Sequence, residues 1–345
     1  MIALISPILQ VEPLPVEGGA ATVAHRSSRF RTLKLPPVVA IAPWVFAGAL
    51  FVIYAYLQPA VLELSSLGFL TITILILAVV GTGQTIVVLT GGIDLSVGGV
   101  MSLGTAILAT QMHQDSIVLW TLATLGVGIA LGVTNGILIT YLDIQPFIVT
   151  LATWSMISGL ALMVLPAAGG EVPISFSNFI YDDVRGMPVS IILLVVLGVV
   201  WVWLKRTRVL RRVYAIGSDE EAAFLSGVPV VATKIAAYAM CGLFAMAAAV
   251  LYTMETASGD PTSGDSFILA SVAAVVIGGT SLFGGRGGAG GTIAGAIVLT
   301  LLADVMLAAN VSEFWTPIVQ GALMILVVVL SAFATRRARE REQAL

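Results

Sequence analysis

Charge is what this sequence has least of. Lys, Arg, Asp and Glu make up 10% of its 345 residues, against about 25% in an ordinary soluble domain. Hydrophobic residues make up 58%, and the mean hydropathy is +1.04. The chain is therefore a polytopic membrane protein, counted in spans of about 20 mostly apolar residues rather than in soluble domains. Cysteine is nearly absent. Cys241 stands alone in the apolar run AYAMCGLFAM, where it reads as a small packing residue. One thiol makes no internal disulfide, and no metal-binding spacing occurs. The two histidines, His25 and His113, are isolated. No HExxH, no nucleophile–base set and no GxxxxGK[ST] phosphate loop is found anywhere in the chain. The chain is expected to have no catalytic activity, no metal site and no ATP site of that kind. Basic residues are also missing ahead of the N-terminal stretch MIALISPILQ, which is unlike a secretory signal. Residues 1–36 mix Pro, Gly, Ser and Arg and read as a mobile cytoplasmic tail.

What the chain has is apolar runs. Ten are expected to span the membrane: 38–57, 67–89, 97–112, 117–141, 147–165, 189–204, 231–253, 267–283, 289–308 and 315–333. The third and sixth are short, consistent with tilted, broken or partly buried helices. Lys and Arg accumulate on the cytoplasmic side. With both termini inside, every Lys and Arg except Arg185 falls on that side: Arg26 to Lys34, Lys205 to Arg212, Lys234, Arg286 and the tail from Arg336 to Arg341. The transmembrane domain then covers 37–334, with its main inward loop at 205–230 and a cytoplasmic tail at 335–345. The outward loops are 166–188 and 254–266.

Three glycine-rich breaks interrupt this pattern. From Leu67 to Met112 the only charged side chain is Asp94, set in VLTGGIDLSVGG between glycine pairs. Irregular backbone at membrane depth is tolerated only when buried in protein or lining a cavity. GGIDLS is thus a break between two helices. Asp94 or Ser96 can cap the third span, and a polar element there can also line a path for substrate. A second break, GGTSLFGGRGGAGG at 278–291, carries eight glycines and Arg286. The third, GDPTSG at 259–264, resembles 92–98 in placing an acid and a hydroxyl between glycines ahead of an apolar helix. The first break follows span two and this one follows span seven. An offset of five spans predicts an inverted repeat, with spans two to five related to seven to ten.

The inward loop carries GSDEEAAFLSGVP at 217–229. Ser218 or Asp219 can cap a helix whose first turn holds Glu220 and Glu221, where acids suit the dipole. Gly227 and Pro229 end it. Ala222, Ala223, Phe224 and Leu225 give it an apolar side with no lipid to meet, which points to a protein partner.

TGGIDLSVGGVMSLG at 90–104, E-A-A-x-x-x-G from Glu221 to Gly227, PTSG at 261–264 and AAVVIGGTSLFGGRGG at 273–288 occur in this order. Together they resemble the membrane-spanning permease subunits of bacterial ATP-binding-cassette importers for monosaccharides, the ribose, xylose and galactose type, over about residues 67–330. The resemblance implies an all-α permease of the bacterial cytoplasmic (inner) membrane. Two permease chains, identical or related, would form the pore. Two cytoplasmic ATPase subunits would carry ATP and Mg, leaving this chain without a cofactor. A periplasmic or extracellular sugar-binding protein would deliver a monosaccharide or small polyol. Asp219, Glu220, Glu221, Ala222, Ala223 and Gly227 would belong to the ATPase-docking segment. Gly91, Gly92, Asp94, Ser96, Pro261, Thr262 and Gly264 would lie near the translocation path. No nucleic-acid partner is expected. Polar residues of the last segment, Glu313 and Trp315 among them, map to no substrate preference. By residue type alone, Gln84, Thr85, Asn135, Gln145, Trp154, Asn310 and Gln320 suit a sugar. The competing reading is an ion-gradient-coupled carrier using Asp94 and Asp304 as relays. Neither carboxylate has an obvious basic partner at depth.

Overall fold

A computed structural model describes residues 37–312 together with 314–323, 325, 326 and 329. The two terminal tails, Glu313 and the end of the tenth expected span lie outside these residues. Along the chain come α1 (Pro37–Leu57), a 3-10 turn (Pro59–Leu62), α2 (Leu64–Val88), α3 (Val97–Gln111), α4 (Ile117–Tyr141), α5 (Pro146–Val164) and α6 (Ile174–Asn178). A two-residue hairpin follows, β1 (Asp183–Val184) and β2 (Met187–Pro188). Then come α7 (Val189–Lys205), α8 (Arg208–Ser218), α9 (Glu220–Leu225), α10 (Val230–Thr256), α11 (Asp265–Ile277) and α12 (Ala289–Ala308). Residues 315–323 are helical at the start of the tenth expected span.

Nine of the ten expected spans are therefore α1, α2, α3, α4, α5, α7, α10, α11 and α12. Six of these, α2, α4, α5, α7, α10 and α12, are long and apolar enough to cross a membrane. Two expectations are corrected. The eighth span stops at Ile277 instead of 283, because Gly278 and Gly279 end the helix and Gly278 packs against Gly291. Leu282 and Phe283 prolong the apolar run in sequence, yet Phe283 is 93% exposed in the loop. The inward loop holds two helices, α8 as well as α9. The loop 166–188 is tied to the end of α10: the Ser177 hydroxyl donates to Met254 O (2.8 Å) and the Tyr181 hydroxyl to Glu255 O (2.7 Å).

Burial sorts the helices into a centre and a rim. In its most apolar window α2 is 61% buried and α10 50%, whereas α4 is 17% buried. α2 packs on α10, α11 and α12, while α10 packs on α2, α3 and α4. The two partner sets exchange when spans two to four are swapped with seven to nine, which is the packing an inverted repeat produces. α1 and α7 stand outside the exchange, α1 lying on α12 and α7 on α2.

Lipid supplies no hydrophobic force between helices, so close packing of small residues holds them together. On α4, Gly128, Gly132 and Gly136 form one stripe against the backbone of α10 at Ile235, Tyr238, Ala239 and Gly242. A Cβ on Gly132 would meet the Tyr238 carbonyl. Gly132→Val is expected to lower stability by about 1–3 kcal/mol, read as the thermal unfolding midpoint in detergent. Gly126→Val, where nothing lies within 4 Å, is the control expected to leave it unchanged.

Candidate functional site

The end of the molecule that carries Lys205 to Arg212 is here the basic end, and the opposite one the far end. At the basic end α2 stops in a tight turn, with Gly91 N–H on Val88 O (2.9 Å) and Gly92 N–H on Val87 O (3.3 Å). The chain then doubles back along the last turns of α2. Asp94 thereby lies beside Gln84, whose side-chain amide donates to Asp94 O (3.1 Å) and accepts Asp94 N–H (3.2 Å). One side chain thus pairs both backbone groups of a residue that has left the helix. Asp94 Oδ1 accepts the Ser96 N–H (2.9 Å) and the Ser96 hydroxyl (2.6 Å), and Asn135 of α4 donates Nδ2 to Ser96 Oγ (2.8 Å). Thr150 of α5 reaches Ile93 O (3.3 Å).

Capping takes a different form from the one expected. Ser96 occupies the N-cap of α3 but makes no side-chain cap bond, because its hydroxyl is committed to Asp94 and Asn135. Asp94 ties the turn ahead of the helix instead. The network is sealed in this single chain: Asp94 is 1% exposed, Ser96 2%, Asn135 1% and Gln84 0%. The Cys241 thiol and Tyr238 face the same carboxylate. Tyr238 Oη and Asn135 Oδ1 are buried without a hydrogen-bond partner among the described residues. The one ion pair among those residues is Lys234 with Glu220 (2.6 Å), so Asp94 has no cation beside it.

The far-end break repeats this chemistry. Asp260 Oδ1 accepts the Thr262 N–H (2.8 Å) and the Thr262 hydroxyl (2.8 Å), the same pair of bonds that Asp94 makes with Ser96. From Gly259 to Gly264 the segment runs down the small-residue face of α3. Gly259 sits against Ala109, the Thr105 hydroxyl donates to Asp260 O (2.8 Å), Gly264 N–H donates to Ser102 Oγ (3.0 Å), and Gly264 touches Gly98. At 1.5 Å per residue that descent is about 16 Å deep. It explains why α3 and α11 are short: each begins inside the bundle, and the two starts meet. Of the residues expected near a path, Gly91 and Thr262 are exposed, while Gly92, Asp94, Ser96, Pro261 and Gly264 are buried. Next to Thr262, Trp154 Nε1 donates to Asp265 Oδ1 (3.0 Å) across α5 and α11. Thr85 bonds Thr292 (2.7 Å) between α2 and α12. Gln145 occupies the N-cap position of α5 without a side-chain cap bond, and Asn310 turns the chain after α12 with φ +56°. Asp304 is part-buried near Tyr54 of α1.

The inward loop forms a joint. Asp219 caps α9 by accepting the Ala222 N–H (2.9 Å), and Glu220 and Glu221 occupy its first turn. Gly227 ends it at φ +80°. Ala223 is buried, whereas Phe224 is 67% and Leu225 78% exposed. The joint with α8 bears on the glycine loop after α11. Gly217 lies on Leu89 O, which accepts the Gly285 N–H (3.0 Å), and a Cβ at Gly217 would strike both. The Tyr214 hydroxyl donates to Gly287 O (2.7 Å), and burial pushes its phenol up to about 12, which keeps it a donor. Three elements meet here: the end of α8, which leads into the exposed helix α9, the glycine loop, and the end of α2 that opens into the Asp94 turn. Gly217, Tyr214 and the exposed Phe283 escaped sequence reading, since only the packing of distant segments reveals them. Gln84 was legible only as a polar residue.

Removing the Asp94 carboxylate strands two buried donors on Ser96. Asp94→Ala is expected to cost about 1–3 kcal/mol for each donor left unpaired. Asp94→Asn keeps the acceptor oxygen and is expected to stay within about 1 kcal/mol of the parent. Thermal unfolding in detergent checks both, and an Ala variant as stable as the parent would rule out the tie described above.

Comparison with known proteins adds the lineage. The ribose import permease protein RbsC of Bacillus subtilis (strain 168) is 36% identical over 295 residues, 84% of this chain and 92% of that protein. The autoinducer 2 import system permease protein LsrD of Escherichia coli (strain K12) is 34% identical over 301 residues, 84% of this chain and 91% of that one. A probable ABC transporter permease protein, y4mJ of Sinorhizobium fredii, is 36% identical over 266 residues, covering 76% and 79% of the two chains. No solved structure matches. Residues 66–328, which hold both breaks and the joint, match the family described as branched-chain amino acid transport system / permease component; the chain belongs to that family of membrane permeases.

Proposed function

We propose that this chain is a membrane-spanning subunit of an ATP-driven importer that passes a monosaccharide or similar small polyol across the cytoplasmic membrane. The observation that carries the reading is the joint of α8 and α9. It presents an apolar pair, Phe224 and Leu225, on a helix fixed at both ends, with Asp219 at one and Gly227 at the other. Relatives matching 84% of the chain are named as import permeases, one for ribose and one for autoinducer 2.

On this reading the basic end faces the cytoplasm, as do both termini. ATPase subunits bearing ATP and Mg dock on Asp219 to Gly227, so this chain needs no cofactor of its own. A periplasmic or extracellular binding protein presents the sugar at the far end, and a second permease chain, identical or related, completes the pore. Displacement of α9 passes through Gly217 to Leu89 and the glycine loop. It thereby reaches the turn of Gly91, Gly92, Asp94 and Ser96. Pro261, Thr262 and Gly264, on the segment that descends from the far end, form the other side of the path.

Two experiments test this. The tagged chain, extracted from its native membrane in mild detergent, is expected to bring an ATPase subunit with it. Glu221→Arg combined with Gly227→Leu is expected to lose that subunit, since Leu is strained at φ +80°. No ATPase with the parent chain, even after crosslinking, would overturn the docking assignment. In vesicles holding the assembled complex, Gly217→Val is expected to retain the ATPase while sugar uptake falls to background. Normal uptake would remove the joint from the mechanism.

A further inference from the structure

The corner where α7 gives way to α8 is crowded with cations. Lys205, Arg206, Arg208, Arg211 and Arg212 are all exposed. None of them is ion-paired among the described residues. No acidic residue occurs anywhere between Asp183 and Asp219. The corner is also stiff. Thr207 accepts the Leu210 N–H (3.3 Å) and donates to Leu204 O (2.7 Å). Leu210, Val213 and Ile216 are buried, with Leu210 and Val213 packed beside Trp201 and Leu204. α8 thus turns its apolar face to the protein and its arginines outward.

The sidedness rule for Lys and Arg accounts for cations at this end. It does not account for what lies beside them. On α7, Val195, Val199, Val202 and Trp203 are exposed, Trp203 by 64%. At helical spacing they continue the face that carries Arg206. An apolar strip at membrane depth leads directly into a cluster of unpaired guanidinium groups. An amphiphile with an anionic head fits both parts. A cluster of four or more Lys/Arg immediately outside a transmembrane helix attracts anionic lipid, and guanidinium groups match phosphate oxygens by paired hydrogen bonds.

We propose that this corner is a binding site for an anionic phospholipid. Its acyl chains lie along Val195 to Trp203. Its phosphate sits among Arg206, Arg208, Arg211 and Arg212. An acidic surface on a partner protein would meet the arginines but leave the strip without an occupant.

The test uses the purified full chain in a nonionic detergent. Phosphatidylglycerol and phosphatidylcholine with the same acyl chains are titrated, with bound lipid counted by native mass spectrometry. The parent chain is expected to bind phosphatidylglycerol at least about tenfold more tightly, with the preference shrinking as salt rises. Arg208→Gln, Arg211→Gln and Arg212→Gln together are expected to abolish the preference, and the same three positions changed to Lys to retain part of it, since an ammonium keeps the charge but not the paired hydrogen bonds. The Lys variant guards against a loss caused by misfolding. Inorganic phosphate at the same concentration is expected not to compete. Equal binding of the two lipids by the parent chain overturns the proposal, as does a preference that survives the Gln substitutions or competition by inorganic phosphate. So does a Gln variant that keeps its lipid preference and loses an ATPase subunit instead, because the cations would then serve a protein partner.

Discussion

Every backbone group inside a bilayer needs a partner from the protein itself, and the centre of this molecule is organised around two places where helices cannot provide one. After α2 the chain leaves the helix, and the Gln84 amide takes over both backbone groups of Asp94. After α10 it leaves again, and Thr105 and Ser102 of α3 take over at Asp260 and Gly264. Each turn is then tied by an aspartate that holds a hydroxyl residue two positions on. The polar residues that look out of place in the apolar sequence are those that make irregular backbone tolerable in lipid.

That solution sets the rest of the arrangement. α3 and α11 are short because they start within the bundle, and their starts meet at Gly98 and Gly264. α2 and α10 each lead into a break and pack on the short helix that follows the other. A broken helix held by side chains is stable enough to exist and weaker than a continuous one, which would suit the path proposed above.

Much of this was legible in the sequence. The apolar runs gave nine helices in the right order, since membrane spans are the strongest signal a sequence carries. The aspartate between glycine pairs marked the first break, and DPTSG marked the second. Asp219 and Gly227 bounded α9 as cap chemistry dictates. The misses have separate causes. The eighth span was overrun because Leu282 and Phe283 are apolar in composition but sit in a loop. α8 was missed because its Arg-rich sequence hides a face of only Leu210, Val213 and Ile216. The roles of Gln84 and Gly217 arise from contacts between segments that are distant in the chain, which periodicity does not record.

The joint of α8 with the glycine loop is made almost wholly of main chain. Gly217, Gly284 and Leu89 O meet through main-chain atoms, and only the Ser218 hydroxyl lies alongside at Gly285. Side chains absorb small displacements by changing rotamer, and a contact without them cannot. On the function proposed above, a displacement of α9 would reach the end of α2 through α8 and this main-chain contact. The same rigidity makes the joint intolerant: a single added methyl group does not soften it but wedges it open. Added side-chain bulk is then tolerated at rim glycines such as Gly126, Gly159 and Gly198, which have open space around them, and opposed at this seam.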